Sequence, residues 1–142
     1  MILLDTDHLT HLQNGGTAAE IIARRLQDAA LDVAATTIIS YEEQVRGWLS
    51  RISGAKTLAY QVTVYAKLRE QFDFYRTLEI WTFDEHAAIE FQRLRRLPVR
   101  IGTQDLKIAA IALTQGALLF TRNLRDFSKV PGLRYEDALA GS

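Results

Sequence analysis

A chain of 142 residues with 17 basic and 17 acidic side chains, 48% hydrophobic content and no cysteine has the composition of an ordinary globular domain. That length supports one core, burying roughly two thirds of the surface the unfolded chain exposes. Disulfides, thiolate zinc sites and cysteine nucleophiles are excluded, as is nucleic-acid attraction by the net charge of the whole molecule. The absence of cysteine fits a reducing compartment, and the cytoplasm is the expected location.

The apolar run Met1-Ile2-Leu3-Leu4 ends at Asp5, too soon for a signal peptide or a membrane span, and reads as a buried strand. Asn14-Gly15-Gly16 marks a turn, after which Thr17 is placed to cap a helix over 18–30, with Ile21, Ile22 and Leu26 on one face. The β-branched residues in 31–39 predict a second strand. Helices follow over 40–52 and 55–78, separated by Ser53-Gly54, and are expected to form a helical hairpin. The longer one carries Leu58, Val62, Tyr65, Leu68 and Phe72 at helical spacing.

A short strand is expected at 80–83, and Asp84 can cap a helix reaching Arg96. A helix over 105–115 stops at Gly116, a strand follows at 117–121, and 133–135 is placed for an edge strand. Strands alternating with helices predict an α/β fold. The expectation is one domain over residues 1–142, with a central parallel sheet of four to five strands flanked by helices on both faces.

Asp5, Glu43, Asp105 and Asp126 each lie where a strand-like run ends or the next helix begins. In open α/β sheets ligands bind at the carboxyl ends of strands, so these four acids can meet in one crevice. Magnesium and manganese prefer carboxylate and water oxygens and commonly bind together with phosphate. Phosphodiester hydrolysis is the chemistry such a site would serve. Each acid also has a local explanation. Asp5 and Asp7 are placed to cap a helix, Ser40 and Glu43 have capping-box spacing, Asp105 favours a helix dipole, and Asp126 suits a turn. The arginines at 93, 95, 96 and 100, and Arg122, Arg125 and Lys129, are candidates for a local nucleic-acid surface, with a solvated helix face as the plainer reading of 93–96, and His8, His11 and His86 fit surface or packing roles better than catalysis.

Four segments, Leu3-Leu4-Asp5-Thr6, Ile39-Ser40-Tyr41-Glu42-Glu43-Gln44-Val45-Arg46-Gly47, Ile101-Gly102-Thr103-Gln104-Asp105-Leu106-Lys107-Ile108-Ala109-Ala110 and Thr121-Arg122-Asn123-Leu124-Arg125-Asp126-Phe127, carry a resemblance in their order and spacing. Together they resemble a PIN domain of the VapC toxin type over nearly the whole chain. The resemblance implies a metal-dependent endoribonuclease using Mg2+ or Mn2+, the toxin of a type II toxin–antitoxin pair. A VapB-like antitoxin and a homodimer are implied as partners, with RNA as substrate.

By the same resemblance, Asp5, Glu43, Asp105 and Asp126 are the catalytic, metal-holding acids, and Glu42 is a surface neighbour. Many PIN domains have an acid where Asn123 stands, so Asn123 competes with Asp126 for the fourth position. Thr6, Asp7, Thr121 and Asn123 are candidates for supporting the acids. Arg46, Lys107, Arg122 and Arg125 are candidates for RNA phosphate contacts or for pairing with the acids. Two alternatives are a PIN-like binding module acting through a DNA-binding partner, and a haloacid-dehalogenase-like phosphatase using Asp5 and Asp7. The phosphatase pattern lacks its Gly-Thr after the second Asp, where His8-Leu9 stands, and its late acidic pair.

Overall fold

The computed structural model describes residues 1–29 and 33–141. Five parallel strands form one sheet in the order β3-β2-β1-β4-β5: β1 Ile2–Leu4, β2 Ala34–Thr37, β3 Glu79–Trp81, β4 Leu118–Phe120 and β5 Arg134–Glu136. Seven helices accompany them in the described residues: α1 Thr6–Asn14, α2 Gly16–Asp28, α3 Ile38–Gly54, α4 Leu58–Tyr75, α5 Glu85–Arg95, α6 Thr103–Gln115 and α7 Leu124–Phe127. The chain passes from β1 outward to β2 and β3, then crosses back to β4 on the other side of β1. The strand order therefore reverses between β1 and β4, and in open α/β sheets ligands bind outside the carboxyl ends at such a point.

Alternation along the strands supplies both faces of the core. Leu3 and Leu119 point into a cluster with Ile39, Leu94, Ile108, Ile111 and Phe127, whereas Ile2, Leu4 and Phe120 join Leu9, Ile22 and Tyr75 on the opposite face. Because both faces are covered, β1 and β4 read as continuous apolar runs, which is why they are the most legible strands in the sequence.

Several boundaries differ from the sequence expectation. The second strand was expected over 31–39; Leu31 and Asp32 lie outside the described residues, and Ile38 and Ile39 belong to α3. The cause is Thr37, whose hydroxyl accepts the Ser40 N–H at 3.1 Å and starts the helix before Ser40. Thr17 does not cap α2. Gly15 and Gly16, at φ +76° and +84°, make the reversal from α1, and α2 begins at Gly16; Ala30, expected at its end, lies outside the described residues. Thr57 caps α4, accepting the Tyr60 N–H at 3.1 Å, so that helix starts later than expected.

The apolar spacing on α4 was informative in a different way. Leu58, Val62, Tyr65 and Phe72 are exposed, at 79%, 70%, 55% and 48%, while the buried positions of the helix are Val64, Gln71 and Tyr75. The helical period is as expected, but these residues face outward. Asp84 and Gly116 behave as expected: Asp84 accepts the Ala87 N–H at 2.9 Å, and Gly116 takes the left-handed conformation that ends α6.

Candidate active site

Asp5 follows β1 and caps α1 at the point where the strand order reverses. Its backbone N–H donates to the Phe120 carbonyl at 2.9 Å, which holds it beside the end of β4. One carboxylate oxygen accepts the Thr6 N–H at 2.7 Å and the other the Thr121 hydroxyl at 2.9 Å. Asp5 is only 8% exposed. Burial, followed by repulsion from Asp105 and Asp7, raises its pKa, and the two hydrogen bonds oppose that rise.

Thr121, fully buried, also accepts the Asn123 N–H at 3.0 Å. Asn123 in turn caps α7, and its amide donates to Asp105 at 3.0 Å and to Asp126 at 3.1 Å. One chain of hydrogen bonds therefore runs Asp5–Thr121–Asn123–Asp105/Asp126. The Asn123 amide thus bridges the two acids. Asp105 stands in the first turn of α6, its pKa raised by burial and by Asp126 against the Asn123 hydrogen bond. Asp126 is held low by Asn123 and by Lys129, whose ammonium lies at 3.2 Å and also donates to the Arg100 carbonyl at 3.0 Å.

Glu43 reaches the same crevice from α3. Burial, then repulsion from Asp5, Asp105 and Glu42, pushes its pKa up to about 7. Its Oε1 is buried and has no hydrogen-bond partner. The capping-box reading fails for a simple reason: the Ser40 N–H is taken by Thr37, and Glu43 lies beyond the first turn of a helix that begins at Ile38. Glu42 is not a bare surface neighbour. It accepts from the Gln104 amide at 2.8 Å and pairs with Arg46 at 2.5 Å, which ties α3 to α6 beside Asp105. Gln104 stands in the segment that carries the family resemblance, and its place next to Asp105 is the sequence signal for this tie.

The supporting candidates separate. Thr121 holds a carboxylate; Thr6 does so only through its backbone N–H, since its buried hydroxyl has no partner. Asp7 is exposed, lies 3.8 Å from His11 and adds repulsion to Asp5. Among the cations, Arg46 pairs with Glu42, Arg122 lies 3.8 Å from Asp137, and Lys107 sits over the Phe83 and Phe91 rings, so three have structural partners. Arg125 is exposed and helps to hold Asp126 ionised. His8 is a packing residue, fully buried, whose Nε2 accepts the Ala138 N–H at 3.1 Å.

Thr121→Val tests the hydrogen-bond chain. Loss of the hydroxyl leaves a buried carboxylate oxygen and the Asn123 N–H unsatisfied, so denaturant unfolding should show a loss of about 1–3 kcal/mol. A loss no greater than that of an exposed substitution would mean the chain contributes nothing to stability.

A cation fits this donor set. All the groups are hard oxygens, Glu43 is raised by Asp5 and Asp105 and Asp5 by Asp105, and one buried carboxyl oxygen lacks a partner. Among the described residues no three acids or histidines are gathered closely enough to hold a metal ion, and hydrogen bonds from Thr121, Asn123 and Lys129 engage oxygens of Asp5, Asp105 and Asp126.

The fold is an open parallel α/β sheet with acidic residues near its switch point. The PIN domain family model matches residues 2–133, and the chain belongs to that family. Over 68 residues it is 37% identical to the tRNA(fMet)-specific endonuclease VapC of Salmonella typhimurium, covering 45% of this chain and 52%, about half, of that relative. It is 24% identical over 132 residues to ribonuclease VapC1 of Rickettsia felis, covering 93% and 92% of the two chains. The crystal structure of DNA-bound VapBC from Salmonella typhimurium superimposes with a TM-score of 0.71 at 26% identity, covering 96% of this chain and 97% of that one.

Proposed function

We propose that this protein is a divalent-metal-dependent endoribonuclease, the toxin of a VapBC-type pair, with Asp5, Glu43 and Asp105 as its principal metal-holding acids and Asp126 as the fourth. The observation that carries this reading is the buried, partnerless Glu43 oxygen beside Asp5 and Asp105, whose mutual repulsion calls for positive charge. Similarity to proteins named as VapC ribonucleases supplies the reaction class. The same reading puts forward a cytoplasmic reaction.

A bound magnesium or manganese ion supplies positive charge to the phosphodiester and acidifies the attacking water. The protein's own contribution is orientation. Thr6 N–H and the Thr121 hydroxyl fix both oxygens of Asp5, and the Asn123 amide sets Asp105 and Asp126 with respect to one another. With its pKa pushed up to about 7, Glu43 retains part of its proton near neutral pH in the metal-free protein, and a cation held beside it would displace that proton. Arg125, exposed beside Asp126, is available to a substrate phosphate.

The exposed α4 stripe of Leu58, Val62, Tyr65 and Phe72 supports protein partners, a second copy of the chain and a VapB-like antitoxin. The purified, partner-free chain is expected to cut RNA with manganese and to stop on addition of EDTA. Cleavage unaffected by EDTA would defeat the metal assignment. No cleavage at all in manganese would favour a binding module that acts through a DNA-binding partner.

A further inference from the structure

α3 carries Glu43 toward the acids and, one residue on, Gln44 into a cleft of about 400 Å3 between α1, α3 and α4. An adjoining cleft of about 220 Å3 is lined by Glu43 and shares Gln44, Trp48 and Arg51 with the larger one, so the two adjoin along α3 beside Glu43. Gly47, with nothing within 4 Å of where a Cβ would stand, keeps that passage open.

The larger cleft is built from amides and a π surface. Gln71 is 7% exposed, and its amide donates to Gln13 at 3.2 Å and to Gln44 at 3.4 Å, one residue from each of α1 and α3. With both N–H groups spent, its buried carbonyl oxygen has no partner. A glutamine carbonyl in this state requires an N–H donor. Trp48 lies beside it with the Arg51 guanidinium 4.4 Å over its ring, and Gln44, Trp48 and Arg51 share one face of α3 at i, i+4 and i+7.

We propose that this cleft is a nucleobase subsite for the RNA substrate, accepting one base that flanks the scissile bond; the proposal rests on the ribonuclease reading. The base would give a ring or exocyclic N–H to the Gln71 carbonyl and stack on the Trp48–Arg51 platform, the two modes by which proteins read unpaired bases. RNA is favoured over a peptide because the cleft continues to Glu43, along the path a strand cut at the acids must take. Arg51 and Lys67 also leave the lining net positive against Glu70.

End-sequencing of a randomised oligoribonucleotide pool cut with manganese reads the base preference around the cut. Gln71→Met and Trp48→Ala, checked for folding by thermal unfolding, are expected to erase the preference at one position. For the preferred sequence they should raise KM by about tenfold or more, with kcat changed by less than about threefold. An oligoribonucleotide abasic at that position should lose the same factor with the wild-type protein and nothing further with either variant. The abasic result stands even if Trp48→Ala fails to fold. Unchanged preference and KM in folded variants, or an abasic substrate cut as well as the intact one, overturns the subsite while leaving the ribonuclease intact. Variants that keep wild-type RNA cleavage but lose binding to a co-expressed antitoxin overturn it in favour of a protein-docking cleft. A wild-type protein that cuts no RNA overturns both readings.

Discussion

Asp5→Asn is expected to lower manganese-dependent RNA cleavage by about a thousandfold while leaving the protein folded. The substitution keeps the shape of the side chain and a carbonyl oxygen for the Thr6 N–H, and the Thr121 hydroxyl can turn to accept from the new amide. What disappears is a buried negative charge that its neighbours already make costly, so stability should hold or rise. Asp105→Asn should behave in the same way, since Asp105 has one oxygen on the Asn123 amide and no cation partner among the described residues. Asp126→Asn is expected to cost less, about tenfold, because Lys129 already neutralises that carboxylate. Exposed Asp7→Asn is the control and should stay within about threefold of wild type. Single-turnover cleavage of a defined RNA, with folding followed by circular dichroism, gives this ranking. Full activity in the Asp5→Asn protein would remove the acidic crevice from the mechanism.

The second large effect concerns pH and metal together. Glu43 has a folded pKa of about 7 against 4.5 for the unperturbed group, so the folded protein holds a proton that the unfolded chain has released between those values. Stability of the metal-free protein should therefore be highest at the acid end of this window. It should fall as the pH rises from about 4.5 to 7, and then level off. Asp5 and Asp105, also raised, act in the same direction. Glu43 is only half buried, so solvent screening reduces its share to roughly 1–2 kcal/mol. Manganese should reverse the loss above pH 7, adding about 2.7 kcal/mol at a hundred times its Kd. Glu43→Gln should flatten the pH profile, raise metal-free stability at about pH 8 and blunt the response to manganese. A thermal-unfolding profile that is already flat from about pH 5 to 8 in metal-free wild type would defeat the coupling.

The elements most legible in the sequence were those whose signals are local. β1 and β4 are apolar runs bounded by polar residues, and Asp84 and Gly116 are terminus residues whose effect depends on their own backbone. The α4 stripe was legible as a helix but not as a surface, because a period of 3.6 residues says which side chains share a face and not which way that face points. The start of α3 was misplaced because strand-forming Ile38 and Ile39 follow a threonine whose hydroxyl was free to cap, and tertiary context decided between the two.

The residues of the site divide in the same way. Sequence by itself put forward the four acids as candidates and determined the α/β alternation and the family resemblance, since each rests on residue type, order and spacing. Only the tertiary structure decided that Asn123 bridges Asp105 and Asp126, that Thr121 and not the Thr6 hydroxyl holds Asp5, and that Glu43 has a buried oxygen with no partner. It alone brought Gln13, Gln44 and Gln71 together from three helices. The physical reason is common to all of these. Hydrogen-bond satisfaction and carboxylate pKa depend on distances between segments up to 116 residues apart in the chain, and those distances are fixed by the crossover that sets β4 beside β1.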